Sequence, residues 1–167
     1  MTRDEVMERL RTQRAAFDLR VAAVPPSAFD KPAPGCPHSP KQIVAHVTAY
    51  EQLIVDRLQL GRLGEDTAFD RDRIGWETFN ERTWAACSLL DAEIVLERSA
   101  VTLLHLFEEI AILADAELNQ LTGVAAAVDP AWLGGRALWE LIGIDGFEHY
   151  PMHFAQLEAA ASQAIVE

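Results

Sequence analysis

Four of the chain's five histidines lie where helical spacing would turn them inward: His46, His105, His149 and His153. His149 and His153 are four apart in the stretch Phe147-Glu148-His149-Tyr150-Pro151-Met152-His153-Phe154. At ~100° per residue, positions four apart differ by only ~40° around a helix. Both rings would then share the face of Leu138 and Ile142, which is apolar and inward. Two neutral imidazoles buried side by side need partners, because each ring carries two polar nitrogens. A divalent cation would satisfy one nitrogen of each. Catalytic zinc usually takes three protein ligands and keeps a position for water or substrate. His46 and His105 each offer a third ring from an apolar stripe of another helix, and packed helices approach within ~8–10 Å. His38 lies in a proline-rich loop and reads as solvated.

Pro151 complicates the pair. Inside a helix, proline removes a hydrogen bond and clashes with the preceding turn, at a cost of ~3 kcal/mol. Either a new helix begins there, with Asp145-Gly146 as the break, or one helix kinks and makes room for a ligand. The sequence leaves both open.

The elements that must position these rings are helical throughout. Val6, Leu10, Phe17, Val21 and Val24 form the stripe of a first helix over roughly residues 3–23, ended by Pro25-Pro26. The loop SAFDKPAPGCPHSP follows. Ser39-Pro40 then opens a second helix, with serine as N-cap and proline at the first helical position. Its inner face reads Ile43, His46, Val47, Tyr50, Leu53, Ile54, Leu58, and it is expected to run to about Leu60. A polar linker, GEDTAFDRDR, precedes a third helix over about 73–87, carrying Trp76, Phe79, Asn80, Thr83, Trp84 and Cys87 on one face. A fourth, over about 92–113, carries Ile94, Val95, Val101, Leu104, His105, Glu108 and Ile112. LTGVAAAVDPAW reads as a connection. The last helix is expected from near Gly135. Together these make one all-α domain over residues 1–167, a bundle of the kind that builds metal and ligand sites between facing helices.

Composition sets outer limits. The chain has 167 residues, half of them hydrophobic, and 26 acids against 14 bases give a formal net charge of −12. On charge alone, neither nucleic acid nor an anionic membrane surface is an expected partner, since phosphate contact needs Lys and Arg. The apolar runs fall short of the ~20 residues of a membrane span, and the charged start MTRDEVMERL is no signal peptide. Cys36 and Cys87 form no CxxC motif or disulfide framework. The expected setting is cytoplasmic.

The order of features carries a resemblance. SPKQIVAHVTAYEQLI, then FNERTWAACSLLDAEIVLERSAVTLLHLFEEI, then WELIGIDGFEHYPMHFAQLE resemble the second helix, middle helices and closing helix of the DinB/YfiT-like superfamily of metalloenzymes, over about residues 5–160. The resemblance implies a four-helix bundle of up-down-down-up character, with one or two extra short helices. It also implies a metal site made by one histidine of the second helix and the closing His-x-x-x-His pair. By position these are His46, His149 and His153, which leaves His105 to core packing. The HYPMHF ending also resembles the ClbS/DfsB branch, which includes a colibactin self-protection protein whose hydrolase activity is not thought to need the metal.

The implied chemistry is thiol addition to electrophiles, thiol-dependent isomerisation or hydrolysis on a small electrophilic or toxic molecule. Zinc or nickel suits imidazole ligands, and a low-molecular-weight thiol is the implied cosubstrate. The alternatives are a metal-independent hydrolase of the self-protection type and a non-catalytic small-molecule-binding bundle. The resemblance also allows a homodimer. No catalytic residue follows from spacing. Asp145, one turn before His149, is a candidate to orient that ring. Tyr50, one turn after His46, and Asn80, polar on an apolar stripe, are candidates for the pocket. Trp76, Trp84, Trp139 and Phe154 could wall it.

Overall fold

The structure is a computed structural model, described here for residues 1–119 and 135–163. The elements are α1 (Arg3–Ala23), a 3-10 turn (Pro26–Ala28), α2 (Pro40–Arg62), α3 (Ala68–Arg71), α4 (Trp76–Cys87), α5 (Ala92–Ala111), α6 (Asp115–Leu118), α7 (Leu138–Ile142), a π turn (Gly143–Phe147), a second 3-10 turn (Tyr150–His153) and α8 (Phe154–Gln163). No strand occurs among the described residues. The connection expected at LTGVAAAVDPAW lies outside them. The expected all-α bundle is what forms, and the expected extra helices include α3, inside the segment read as a polar linker.

Local chemistry explains the starts. Thr2 and Glu5 make a reciprocal capping box on α1, and Ser39 and Gln42 make another on α2 with Pro40 at the first helical position. Helix α2 is central: it packs against α5, α4 and the π turn, while α1 packs against α5, α8 and the π turn. The α2 stripe read from sequence is buried residue for residue.

Helix α5 is a correction. Its buried face is Val95, Ser99, Thr102, Leu106 and Ile110. Val101 and Leu104 are 45% and 62% exposed, and His105 is exposed. His105 is therefore not a core residue, and it lies outside the cluster of His46, His149 and His153. The expected stripe runs along the side that also carries Glu93, Glu97 and Glu108, where Ile94, Val101 and Leu104 are exposed apolar residues, so it falls on the wrong face of an amphipathic helix. Two polar residues face inward because they have partners there: Ser99 Oγ accepts from Arg14 Nη2 (2.7 Å), and Thr102 Oγ1 donates to Gln52 (3.5 Å).

The closing segment comes nearest the first reading of Pro151: a 3-10 turn begins at Tyr150 with Pro151 in its first positions and His149 just before it, though Asp145-Gly146 lie in a π turn instead of a break. Backbone hydrogen bonding widens, then tightens. Glu148 N–H donates to the Gly143 carbonyl (2.8 Å), five residues back; His149 N–H donates to Gly146 (2.9 Å) and Met152 N–H to His149 (3.1 Å), three back. Proline has no N–H to give, and the change of pitch, with Glu148 and His149 between the two turns, accommodates it. His149 keeps helical dihedrals (φ −76, ψ −42), so the one-turn spacing of the pair survives. The π turn lies close against the bundle: a Cβ on Gly146 would sit 3.0 Å from the Leu10 side chain.

Two buried ion networks flank this segment. Arg14 donates to Glu51, Asp18 and Ser99, and Glu51, wholly buried, also accepts from the Tyr150 hydroxyl (2.6 Å). Arg57 forks onto Asp70 (2.9 and 2.8 Å) and reaches Asp145 (2.8 Å). Removing one partner of a buried pair leaves an uncompensated charge. Arg14→Met should therefore cost ~3–5 kcal/mol of stability, read from the denaturant midpoint. Arg14→Met with Glu51→Leu should recover most of it. Equal loss in the single and double variants would contradict the assigned role.

Candidate metal centre

His46 projects from α2, His149 from the link between the π and 3-10 turns, and His153 from the end of the 3-10 turn. Their rings form a near-equilateral triangle, with centroids 4.8, 5.1 and 5.0 Å apart. All three aim Nε2 at one point. His149 Nε2 lies 3.0 Å from His46 Nε2 and 3.1 Å from His153 Nε2, and one nitrogen from each ring falls within 4.8 Å of the others. Among the described residues this is the one cluster of three His, Cys, Asp or Glu side chains with metal-ligand spacing.

The donor set fits a dication. Lone pairs facing each other at 3 Å repel unless a proton or cation lies between them. Tetrahedral zinc with bonds of ~2.0–2.1 Å holds its nitrogens ~3.3 Å apart. His153 Nδ1 lies 2.9 Å from Gln156 Oε1; as donor there, it leaves Nε2 free as a ligand. Gln156 is a residue the sequence reading did not assign to the site, though its i,i+3 relation to His153 was available. His46 Nδ1 and His149 Nδ1 are buried without a well-formed hydrogen bond.

Burial also sets protonation. It pushes His46 down to about 3, helped by the charges of His149, His153 and His38. It pushes His149 down to about 4, with a smaller push from His153 and a slight opposing one from the Asp145 backbone carbonyl. His153 is lowered too, again mainly by burial. The rings are thus neutral at physiological pH, as ligands must be.

Around the triangle the walls are aromatic. The Tyr50 ring lies 4.8 Å from His46 and 4.6 Å from His149, with Trp76 stacked on it at 5.5 Å and Phe79 edge-on at 5.2 Å. Its hydroxyl donates to Asn80 Oδ1 (3.0 Å), so these two candidates meet beside the rings. Burial, then Asp145, pushes the Tyr50 phenol up to about 12. Trp84 lies 6.0 Å from His46 and carries His38 stacked at 3.8 Å. His38 is thus not a free loop residue but part of the surroundings. Phe154 instead lies under the Arg20 guanidinium (3.9 Å). Asp145 does not orient His149 through its carboxylate, which Arg57 takes. Cys87 is a buried thiol donating to the Lys41 carbonyl, and burial pushes its pKa up.

A family model described as the DinB superfamily matches residues 9–142. The chain belongs to the DinB superfamily. The match ends before His149 and His153, so the closing pair rests on the geometry above. Two solved structures share the fold. One is an uncharacterised protein from Escherichia coli UTI89, with 15% identity and a TM-score of 0.79 over 98% of this chain and 94% of that one. The other is the colibactin self-resistance protein ClbS in complex with double-stranded DNA, with 12% identity and a TM-score of 0.76 over 94% of this chain and 93% of that one. No curated protein matches the sequence significantly. The resemblance read in the sequence is borne out. The exclusion of nucleic acid is not: a neighbour of this fold is seen bound to duplex DNA. Net charge sums the whole surface, whereas phosphate contact needs only a local group of cations. No described helix is long and apolar enough to cross a membrane.

The lowered pKa values fix the sign of a pH effect. Unfolded histidine titrates near ~6.5; the folded rings of His46 and His149 titrate at about 3 and about 4. Their contribution to stability is full above the unfolded value and is lost as pH falls toward the folded ones. Asp145, pushed up to about 6 by burial, contributes with the opposite sign. A variant with both His46→Gln and His149→Gln isolates the histidines. The metal-free protein should lose stability more steeply than this variant between pH 6.5 and 4. Parallel urea midpoints across that range would contradict the prediction.

Proposed function

We propose that the protein is a metal-dependent enzyme acting on a small electrophilic or toxic molecule, by thiol-dependent transfer, isomerisation or hydrolysis. His46, His149 and His153 would hold zinc or nickel, and the cytoplasmic setting expected from the sequence belongs to this reading. One observation carries it: three uncharged imidazoles from two separate parts of the chain aim the same nitrogen at one point. Bound there, the dication keeps its full charge and lowers the pKa of a water or thiol beside it. The chain supplies the rest. Gln156 holds the His153 ring. Tyr50, its phenol protonated at neutral pH, ties the aromatic wall to Asn80, whose amide nitrogen is then placed to donate to a substrate oxygen. Trp76 and Phe79 shield Tyr50 from water on the far side.

A second reading draws on the ClbS neighbour: a metal-independent hydrolase, with duplex DNA among its partners. Chelation separates the two. Purified protein should carry about one equivalent of divalent metal, and His149→Ala should reduce occupancy at least tenfold by elemental analysis. Turnover of a thiol with an electrophile should fall with chelator and return with metal. Full turnover after complete metal removal would defeat the first reading. Duplex binding weakened by added salt would support the second.

A further inference from the structure

We propose that His38 is a fourth functional imidazole of this centre, one that hydrogen-bonds the exchangeable water or substrate completing the cation's coordination instead of ligating the cation. The proposal rests on the metal reading of the other three histidines. Its support is positional. His38 lies between Pro37 and the Ser39-Pro40 start of α2. Proline fixes local dihedrals, and the Ser39–Gln42 capping box fixes the helix start, so the ring's anchor is set relative to His46 two turns on. The ring is half-buried and lies flat on Trp84, 3.8 Å between centroids and 27° between planes. Trp84 in turn stands 6.0 Å from His46.

The His38 nitrogens fall outside the three-histidine cluster, which places the ring beyond direct ligation. It borders the site through Trp84, whose ring lies beside both it and His46. Burial keeps it neutral, with one donor and one acceptor nitrogen. Neither makes a hydrogen bond to the described residues. Beneath it, Trp84 Nε1 is buried with no acceptor. A ring with two unused nitrogens and an indole with an unmet donor, on one wall of a cation site, suit a small oxygen or nitrogen ligand bound between that wall and the cation. Tyr50 and Asn80 form a second polar edge of the site.

The test uses cobalt(II)-loaded full-length protein titrated with azide, followed by the visible cobalt absorption bands. His38→Ala should keep stoichiometric cobalt and its competition against a chelator, but bind azide about tenfold more weakly, as loss of a hydrogen bond to a charged group implies. His38→Gln, which keeps a donor, should restore most of the affinity and the wild-type band shape. Azide affinity unchanged in both variants would overturn the assignment. So would cobalt loss in His38→Ala as severe as in His153→Ala, since His38 would then be a ligand. Wild-type protein that takes up no cobalt would instead defeat the underlying metal reading, and this proposal with it.

Discussion

The histidine triangle depends on how the closing segment is held. A helix carrying proline two residues after one histidine and two before the other has no reason of its own to keep both rings aligned. Here Asp145, in the π turn, is tied to Arg57 of α2. Tyr150, next to His149, is tied to Glu51 of α2, itself paired with Arg14 of α1. His149 thus lies between two anchored residues, each fastened to the helix that carries His46. Breaking the first pair would leave a buried charge and breaking the second would take a donor from a wholly buried carboxylate, so the change of pitch around Pro151 is fixed in one arrangement. The wide turn before the proline and the tight turn that contains it are what that arrangement requires.

That frame also accounts for the electrostatics. The same burial that encloses the anchors removes water from the imidazoles, so protonation is disfavoured and the nitrogens keep their lone pairs. Three neutral donors converging without an acid among them form a site that leaves a cation's charge undiminished. The acidity of the chain as a whole lies elsewhere. The Tyr50–Asn80 contact and the Trp84–His38 stack edge the same site.

The site was more legible in the sequence than the frame. His46 falls on an α2 stripe whose every member is buried, and His149 and His153 keep one-turn spacing, so phase nominated all three, with His105 as a rival third ring that only the family resemblance set aside. The fold class followed from helix starts such as Ser39-Pro40 and from the absence of alternating strands. What spacing could not show were polar residues turned inward by partners far away in sequence. Arg14, Glu51, Arg57 and Asp70 read as surface charges until their mates appear across the core. Helix α5 was misphased for a related reason: its inward Ser99 and Thr102 look like solvent-facing residues, and exposed Val101 and Leu104 look like core. Ring stacking between a loop and a helix, as for His38 on Trp84, leaves no periodic trace either. Charge totals could not exclude nucleic acid, which a neighbour of this fold binds, because a sum carries no information about where cations sit.

The most direct test is X-ray absorption at the metal K-edge of protein loaded with one equivalent of zinc. The account predicts a first shell of light-atom ligands at ~2.0–2.1 Å, with the outer-shell scattering of three imidazoles, falling to two in His46→Gln. A spectrum with one imidazole or none, or one unaltered by that substitution, would contradict it.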